Sequence, residues 1–189
     1  MKSVMASDIS ADLSMLMDGF SSDTRMIPSS SSMLKKSLSI PAIAVMLSII
    51  SSAIVYFTGY KPQMDLQGFI SYFMTDGWII VAPTIPIGLL FTLMAYNNVL
   101  LYMSVPENVR KKSLVIAHLR KIAKKTVTFF VTLMILATIL SGYSNWFAFS
   151  ISGLLFALLF VVNLLVGAEI NRLGAGFVIE KISNFIKKI

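Results

Sequence analysis

The chain has 189 residues, of which 56% are hydrophobic and only 13% are charged, and its mean hydropathy is +0.80. Soluble domains have about 45–50% apolar and about 25% charged residues, so this composition excludes an ordinary soluble domain and is typical of a membrane protein. The absence of cysteine excludes disulfides, thiolate nucleophiles and cysteine-ligated metals.

The first 39 residues form a serine-rich segment that precedes any long apolar run. Pro28 and the serines at 29–32 predict a flexible linker. Before this linker, apolar residues recur at helical spacing, with Ser7 as a possible N-cap and Gly19 as a possible stop. These residues are Ile9, Leu13, Leu16, Met17 and Phe20. We predict a short amphipathic helix that lies on the membrane or on the protein's own cytoplasmic helices, with partner docking as the alternative.

Three stretches contain no charged residue and no histidine: Ser37 to Tyr60, Gly77 to Pro106 and Thr126 to Ala168. A helix of about 20 apolar residues crosses a bilayer, so the third stretch, of 43 residues, is long enough for two helices. Its turn is predicted at Gly142-Tyr143-Ser144-Asn145-Trp146. The sequence therefore predicts an all-α, polytopic membrane protein whose four transmembrane helices form a domain over residues 40–167. The predicted spans are Ile40–Tyr60, Gly77–Met103, Thr126–Ser141 and Phe147–Gly167.

Between the first two spans lies the predicted outer segment, from Lys61 to Asp76. Phe69, Tyr72 and Phe73 are spaced so that one helical turn groups them on one face, which anchors them in lipid headgroups or against an outside partner. Such a partner would meet the aromatic rings as apolar anchors, and the charges of Lys61, Asp65 and Asp76 would discriminate at the rim. These six residues are the predicted partner-binding set.

Basic residues dominate the segment 104–125, which is predicted to be helical and to continue into the third span. A basic helix face beside a membrane favours anionic lipid headgroups as its partner rather than nucleic acid. His118, the single histidine, has no acidic residue or cysteine at a ligand spacing, so no role is assigned to it.

The tail 168–189 is predicted to be a basic amphipathic cytoplasmic helix after a hinge at Gly174 and Gly176. Its apolar stripe consists of Val178, Ile182, Phe185, Ile186 and Ile189.

The orientation of the chain follows from its basic residues. Four lie in the N-terminal segment, seven between spans two and three and four in the C-terminal tail, so fifteen of sixteen fall on one predicted side and only Lys61 on the other. Lys and Arg flanking transmembrane helices stay in the cytoplasm. We therefore predict that both termini are cytoplasmic.

Small residues inside the spans indicate close helix packing. Ala44, Ser48 and Ser52 share one side of span one, and Gly153 and Ala157 form a similar pair in span four. Either face is a candidate seam for a homo-oligomer. In span two, Pro83 and Pro86 set the first helical turn or kink the helix.

The spans lack the groups that catalysis and ion coupling require. Intramembrane enzymes and transporters place carboxylates, histidines or Lys and Arg within the bilayer, and none occurs in these stretches. We predict no catalytic residue, no metal site and no cofactor, and therefore a non-enzymatic protein.

The small size, the four spans, the serine-rich start and the basic inner segments resemble the TraS entry-exclusion proteins of F-type conjugative plasmids. The resemblance extends to the text of the chain, from the opening Met1-Lys2-Ser3-Val4-Met5-Ala6-Ser7-Asp8 onward. It implies an inner-membrane protein that blocks redundant DNA transfer and whose partner is the conjugation protein TraG of the mating cell. It assigns no functional residue. Two other functions fit the same layout: an immunity protein against a pore-forming bacteriocin, and a channel or holin-like subunit.

Overall fold

The computed structural model describes residues 6–21, 29–59, 65–176 and 180. This part of the chain is helical and contains no strand. The chain forms two compact units. The terminal unit comprises Met1–Lys36, Ala95–Lys125 and Val162–Ile189, and the central unit comprises Ser37–Met94 and Thr126–Val161. Several helices contribute residues to both units.

In chain order the helices are α1 (Ala6–Ser21), α2 (Ser30–Gly59), α3 (Leu66–Tyr72), a π-helical turn (Phe73–Gly77), α4 (Trp78–Val81), α5 (Thr84–Ser104), α6 (Glu107–Lys112), α7 (Leu114–Leu140) and α8 (Asn145–Arg172). Four of them, α2, α5, α7 and α8, are long and apolar enough to cross a membrane. This confirms the predicted all-α class and the predicted number of span-length helices, and it suggests a multi-pass membrane protein.

The first long helix begins ten residues before the predicted start of span one. Ser29 begins it, because its side-chain oxygen accepts a hydrogen bond from the amide of Ser32 and its carbonyl accepts one from Met33. A serine at this position satisfies amides that otherwise lack a partner at a helix start. Residues 30–39 are therefore the first turns of α2, and the predicted flexible linker is wrong for Ser30–Ser32.

The second predicted span, Gly77–Met103, is interrupted in the structure. A π-helical turn ends at Gly77, the short α4 ends at Val81, and α5 begins only at Thr84. Pro83 and Pro86 lack amide hydrogens, which a helix interior requires but the first turn of a helix does not. Both prolines therefore lie at a helix restart.

The third and fourth long helices follow the sequence closely. The basic segment continues into the third long helix, as predicted, although it contains a break at Ser113, where ψ is 123°. The turn lies at residues 141–144, and Asn145 and Trp146, predicted to belong to it, are instead the first residues of α8. The fourth helix ends at Arg172, followed by Gly174 with a φ of +62°, a conformation that glycine adopts without strain. The predicted tail helix falls mostly outside the described residues.

The two units differ strongly in charge. The terminal unit contains fifteen basic and seven acidic residues, a net charge of +8. The central unit contains Lys61, Asp65 and Asp76, a net charge of −1. The fifteen basic residues that the sequence predicts on one side of the membrane therefore all fall in the terminal unit.

Candidate functional site

The predicted partner-binding aromatics contact other aromatic rings of the central unit. Phe69 lies with its ring centroid 5.7 Å from that of Tyr56 and 6.3 Å from that of Phe57, and Tyr72 lies 5.3 Å from Tyr56. Phe73 is 5.9 Å from Phe69. Each such pair contributes about 0.5–1.5 kcal/mol beyond the area that it buries. The three predicted anchors are therefore half-buried and hold α3 against α2.

The predicted charges of this segment have different positions. Asp65 is the N-cap of α3, because its Oδ1 accepts a hydrogen bond of 2.7 Å from the amide of Gly68. Asp76 is exposed within the π-helical turn. Lys61 lies outside the described residues. Asp65 and Asp76 are therefore both exposed, and Asp65 also has a structural role in starting the helix.

The exposed side of α3 and the following turn carries large apolar residues. Leu66, Ile70 and Met74 are 78%, 55% and 73% exposed and recur every four residues. We call these three residues the outer apolar face. Their spacing is visible in the sequence, but the same segment also carries the aromatic face. Periodicity alone does not decide which face is buried.

The small residues of span one pack inside the central unit. Ala44, Ser48 and Ser52 are fully buried. The hydroxyl of Ser48 lies 3.0 Å from that of Thr84, and Ser52 donates a hydrogen bond of 3.3 Å to the carbonyl of Gly77. These contacts join α2 to the segment around the proline break, so this face is a seam within the protein.

The second predicted packing pair is in a different environment. Gly153 is exposed, and a Cβ added there would meet no atom of the described residues within 4 Å. Ala157 is half-buried on the same helix. The Gly153 side of α8 therefore stays available for contact with lipid or with another chain.

The predicted N-terminal helix is α1, and it packs within the terminal unit. Leu16 is 4% exposed and packs with Val105, and Leu13 and Met17 border the same cluster. Gly19 lies so close to Val109 that an added Cβ would stand 2.5 Å from its Cγ2. This helix was predicted to lie on the membrane or on the protein's own helices, and in the structure it lies on the protein's own helices.

The carboxylate of Asp12 caps the start of α7. It accepts hydrogen bonds from the hydroxyl of Ser113 at 2.8 Å and from the amides of Leu114 and Val115 at 3.2 and 2.9 Å. Amides at a helix start lack intrahelical partners and carry a partial positive charge, so a carboxylate from another helix satisfies and stabilises them. Asp12 is 6% exposed. Sequence reasoning missed this role because the two partners lie about a hundred residues apart.

Two further polar contacts lie within the terminal unit, where they join α8 to α7 and to α5. His118 Nε2 lies 3.3 Å from Glu169 Oε2, which also forms an ion pair with Arg172 at 2.8 Å. Asn98 donates a hydrogen bond of 3.2 Å to Asn163, so a pair of amide side chains joins α5 to α8. His118 therefore has a contact that its local sequence did not reveal.

On the surface of the terminal unit, Lys111 Nζ lies 2.7 Å from Glu107 Oε1, and this hydrogen-bonded lysine holds the pKa of Glu107 below its ordinary value. Both side chains are largely exposed, so solvent screens the pair and it stabilises α6 little.

Within the described residues, no group of three or more histidine or acidic side chains is placed to hold a metal ion. Comparison with known families, with curated proteins and with solved structures finds no match to the chain. The resemblance to TraS proteins therefore stays a prediction, and a function is inferred from the residues of this chain.

Proposed function

We propose that this chain is a non-catalytic, multi-pass protein of the bacterial inner membrane that mediates entry exclusion. It would lower redundant conjugative DNA transfer by recognising a TraG-like protein of the mating cell. The resemblance to TraS proteins supports the proposal. The structural observation that carries it is the outer apolar face, which α3 presents while its aromatic side is packed on α2.

Such a face suits recognition of a partner that arrives from outside. A helix fixed in advance by ring packing loses little conformational freedom on binding, which favours affinity. Leu66, Ile70 and Met74 would supply apolar contact area, and the exposed carboxylate of Asp76 would add charge discrimination at the rim.

The proposal requires that the outer segment and the terminal unit lie on opposite sides of the membrane. The net charge of +8 on the terminal unit supports a cytoplasmic position for it. Because the chain has no cysteine, single cysteines report topology directly. A cysteine at exposed Gln67 should react with a membrane-impermeant thiol reagent in intact cells, whereas one at exposed Lys124 should not. Labelling of Lys124→Cys from outside would overturn the topology.

The functional test is a mating experiment. Expressed alone in a recipient, the protein should reduce transfer from a donor that carries the matching F-type system but not from one with a divergent partner. Unchanged transfer from the matching donor, with the protein shown in the membrane, would reject exclusion. Protection against a pore-forming bacteriocin or ion leakage on expression would instead favour the immunity or the pore function.

Variants of the outer apolar face locate the recognition surface. Leu66→Gln combined with Met74→Gln removes two apolar anchors while keeping side chains that are compatible with a helix. Loss of a single binding hot spot lowers the binding free energy by about 2 kcal/mol, which weakens affinity about 30-fold. Transfer into this recipient should rise at unchanged membrane level. Gln67→Ala with Ser71→Ala is the matched control on exposed polar positions of the same helix.

Replacement of the aromatic residues is a poorer test because it also removes the packing of α3. Phe69 alone makes three ring contacts, so its loss costs roughly 2–4 kcal/mol in fold stability. The competing recognition site is the cytoplasmic helix α1. Exclusion that survives the glutamine variant but disappears when residues 1–25 are deleted would move recognition to the cytoplasm.

A further inference from the structure

The terminal unit contains a cavity of about 520 Å³ that the proposed function does not use. Small-molecule sites have volumes of roughly 300–1,000 Å³, so this cavity is large enough for a ligand. Twelve of its sixteen lining residues are aliphatic, with Leu13 and Leu16 of α1 forming one wall and Ala175 at another. Aliphatic side chains of this kind suit a hydrocarbon chain.

The charged residues that line the cavity are both cationic. They are Lys36 and Arg120, and the described lining residues include no acidic side chain. Asp12, next to Leu13 in the chain, directs its carboxylate to Ser113 and the start of α7.

A third cation, Arg110, contacts a residue that lines the cavity. The guanidinium of Arg110 lies 4.6 Å from the ring centroid of Tyr102, a lining residue, and donates a hydrogen bond of 3.3 Å to its carbonyl. The lining therefore combines aliphatic side chains with two cations, and a third cation contacts the lining residue Tyr102.

We propose that this cavity binds an anionic phospholipid, with one acyl chain among the aliphatic residues and the phosphate near Lys36 and Arg120. Charge complementarity selects this occupant, because a zwitterionic phosphatidylethanolamine would bring its ammonium group toward the same cations. Since α1 forms part of the wall, bound lipid and docked α1 stabilise each other. The proposal is independent of entry exclusion and stands or fails separately from it.

The test uses the full chain purified in detergent and titrated with phosphatidylglycerol or phosphatidylethanolamine, with bound lipid measured by native mass spectrometry. Phosphatidylglycerol should bind at least about tenfold more tightly, the effect of a favourable charge contact of the size found near membranes. Equal binding of the two lipids, or no phosphatidylglycerol bound at all, would overturn the proposal. Binding that appears only after residues 177–189 are deleted would likewise overturn it, since the C-terminal tail would then be the occupant.

Charge variants separate this site from general attraction to a basic surface. Lys36→Gln combined with Arg120→Gln should weaken phosphatidylglycerol binding about 30-fold, which corresponds to about 2 kcal/mol. Lys121→Gln combined with Lys124→Gln removes the same charge from exposed positions of α7 that do not line the cavity, and should change binding little. Equal losses in the two double variants would refute the proposal.

A cavity-filling variant tests the acyl chain. Ala123→Phe narrows the cavity and leaves both cations in place, so it should weaken phosphatidylglycerol binding at least tenfold. If this variant unfolds at a lower temperature than the wild type, Val166→Phe replaces it as the cavity-filling variant. Binding unchanged in a folded filling variant would contradict the site. Displacement of the lipid by glycerol 3-phosphate at equal concentration would show that a free phosphate suffices and would also overturn it.

Discussion

The contact between Asp12 and the start of α7 allows a quantitative prediction about α1. Replacing Asp12 by Ala removes the acceptor for the Ser113 hydroxyl and for the amides of Leu114 and Val115. Loss of a helix cap costs about 0.5–2 kcal/mol, and a buried hydrogen bond to a charged group contributes about 1.5–3 kcal/mol. Because water can solvate the released groups once α1 leaves, we take about 3 kcal/mol for the whole contact. The ratio of docked to undocked α1 should then fall about 100-fold.

Hydrogen–deuterium exchange measures this ratio directly. When α1 closes faster than its amides exchange, the exchange rate is proportional to the undocked population, so α1 amides should exchange about 100-fold faster in Asp12→Ala. Asp12→Asn keeps one acceptor oxygen but loses the charge, and should give an intermediate rate.

Asp18→Ala is the matched control, because Asp18 is exposed on the same helix and its loss changes the net charge equally. Exchange in Asp12→Ala within about twofold of that in Asp18→Ala would refute the assignment of the carboxylate as the docking contact.

Three further predictions concern packing, each checked on detergent-purified protein. Among the described residues, the buried hydroxyl of Ser51 has no hydrogen-bond partner, whereas that of Ser48 has one. Ser51→Ala should therefore keep or raise the thermal unfolding temperature, and Ser48→Ala should lower stability by about 0.6 kcal/mol. The reverse order would contradict the hydrogen-bond assignment. Gly77→Ala places a Cβ 2.6 Å from a buried hydroxyl oxygen of α2 and should destabilise the fold by about 1–3 kcal/mol. An unchanged unfolding temperature would show that Gly77 and this hydroxyl lie farther apart. If the Gly153 side of α8 is a homo-oligomer seam, Gly153→Leu should shift a dimer toward monomer in light scattering and Gly167→Leu, equally open, should not; a wild-type protein that is monomeric at every concentration removes the idea.

The local features of the fold were predictable from the sequence. Long charge-free runs are read from composition alone, and they predicted four span-length helices. The turn at 141–144 follows from a run too long for one helix, and the helix over 6–21 follows from apolar spacing. Each of these signals lies within one segment and depends only on the residues of that segment.

Only the tertiary structure decided which side of each helix packs against another helix and which side is exposed. The spacing of Phe69, Tyr72 and Phe73 showed that the three rings share a face, but not that Tyr56 and Phe57 cover it. Side-chain periodicity defines a face and contains no information about what packs there.

Asp12 shows the same limit for a polar group. By sequence it falls on the polar side of an amphipathic helix, where a solvated carboxylate is the ordinary expectation. In the structure it is buried because the open amides of α7, about a hundred residues later in the chain, supply the partners that make burial of its charge favourable. The sequence by itself determined the helices and the charge asymmetry, whereas the contacts between distant segments decided which side chains are packed and which are presented, because a contact energy exists only once the fold brings both partners together.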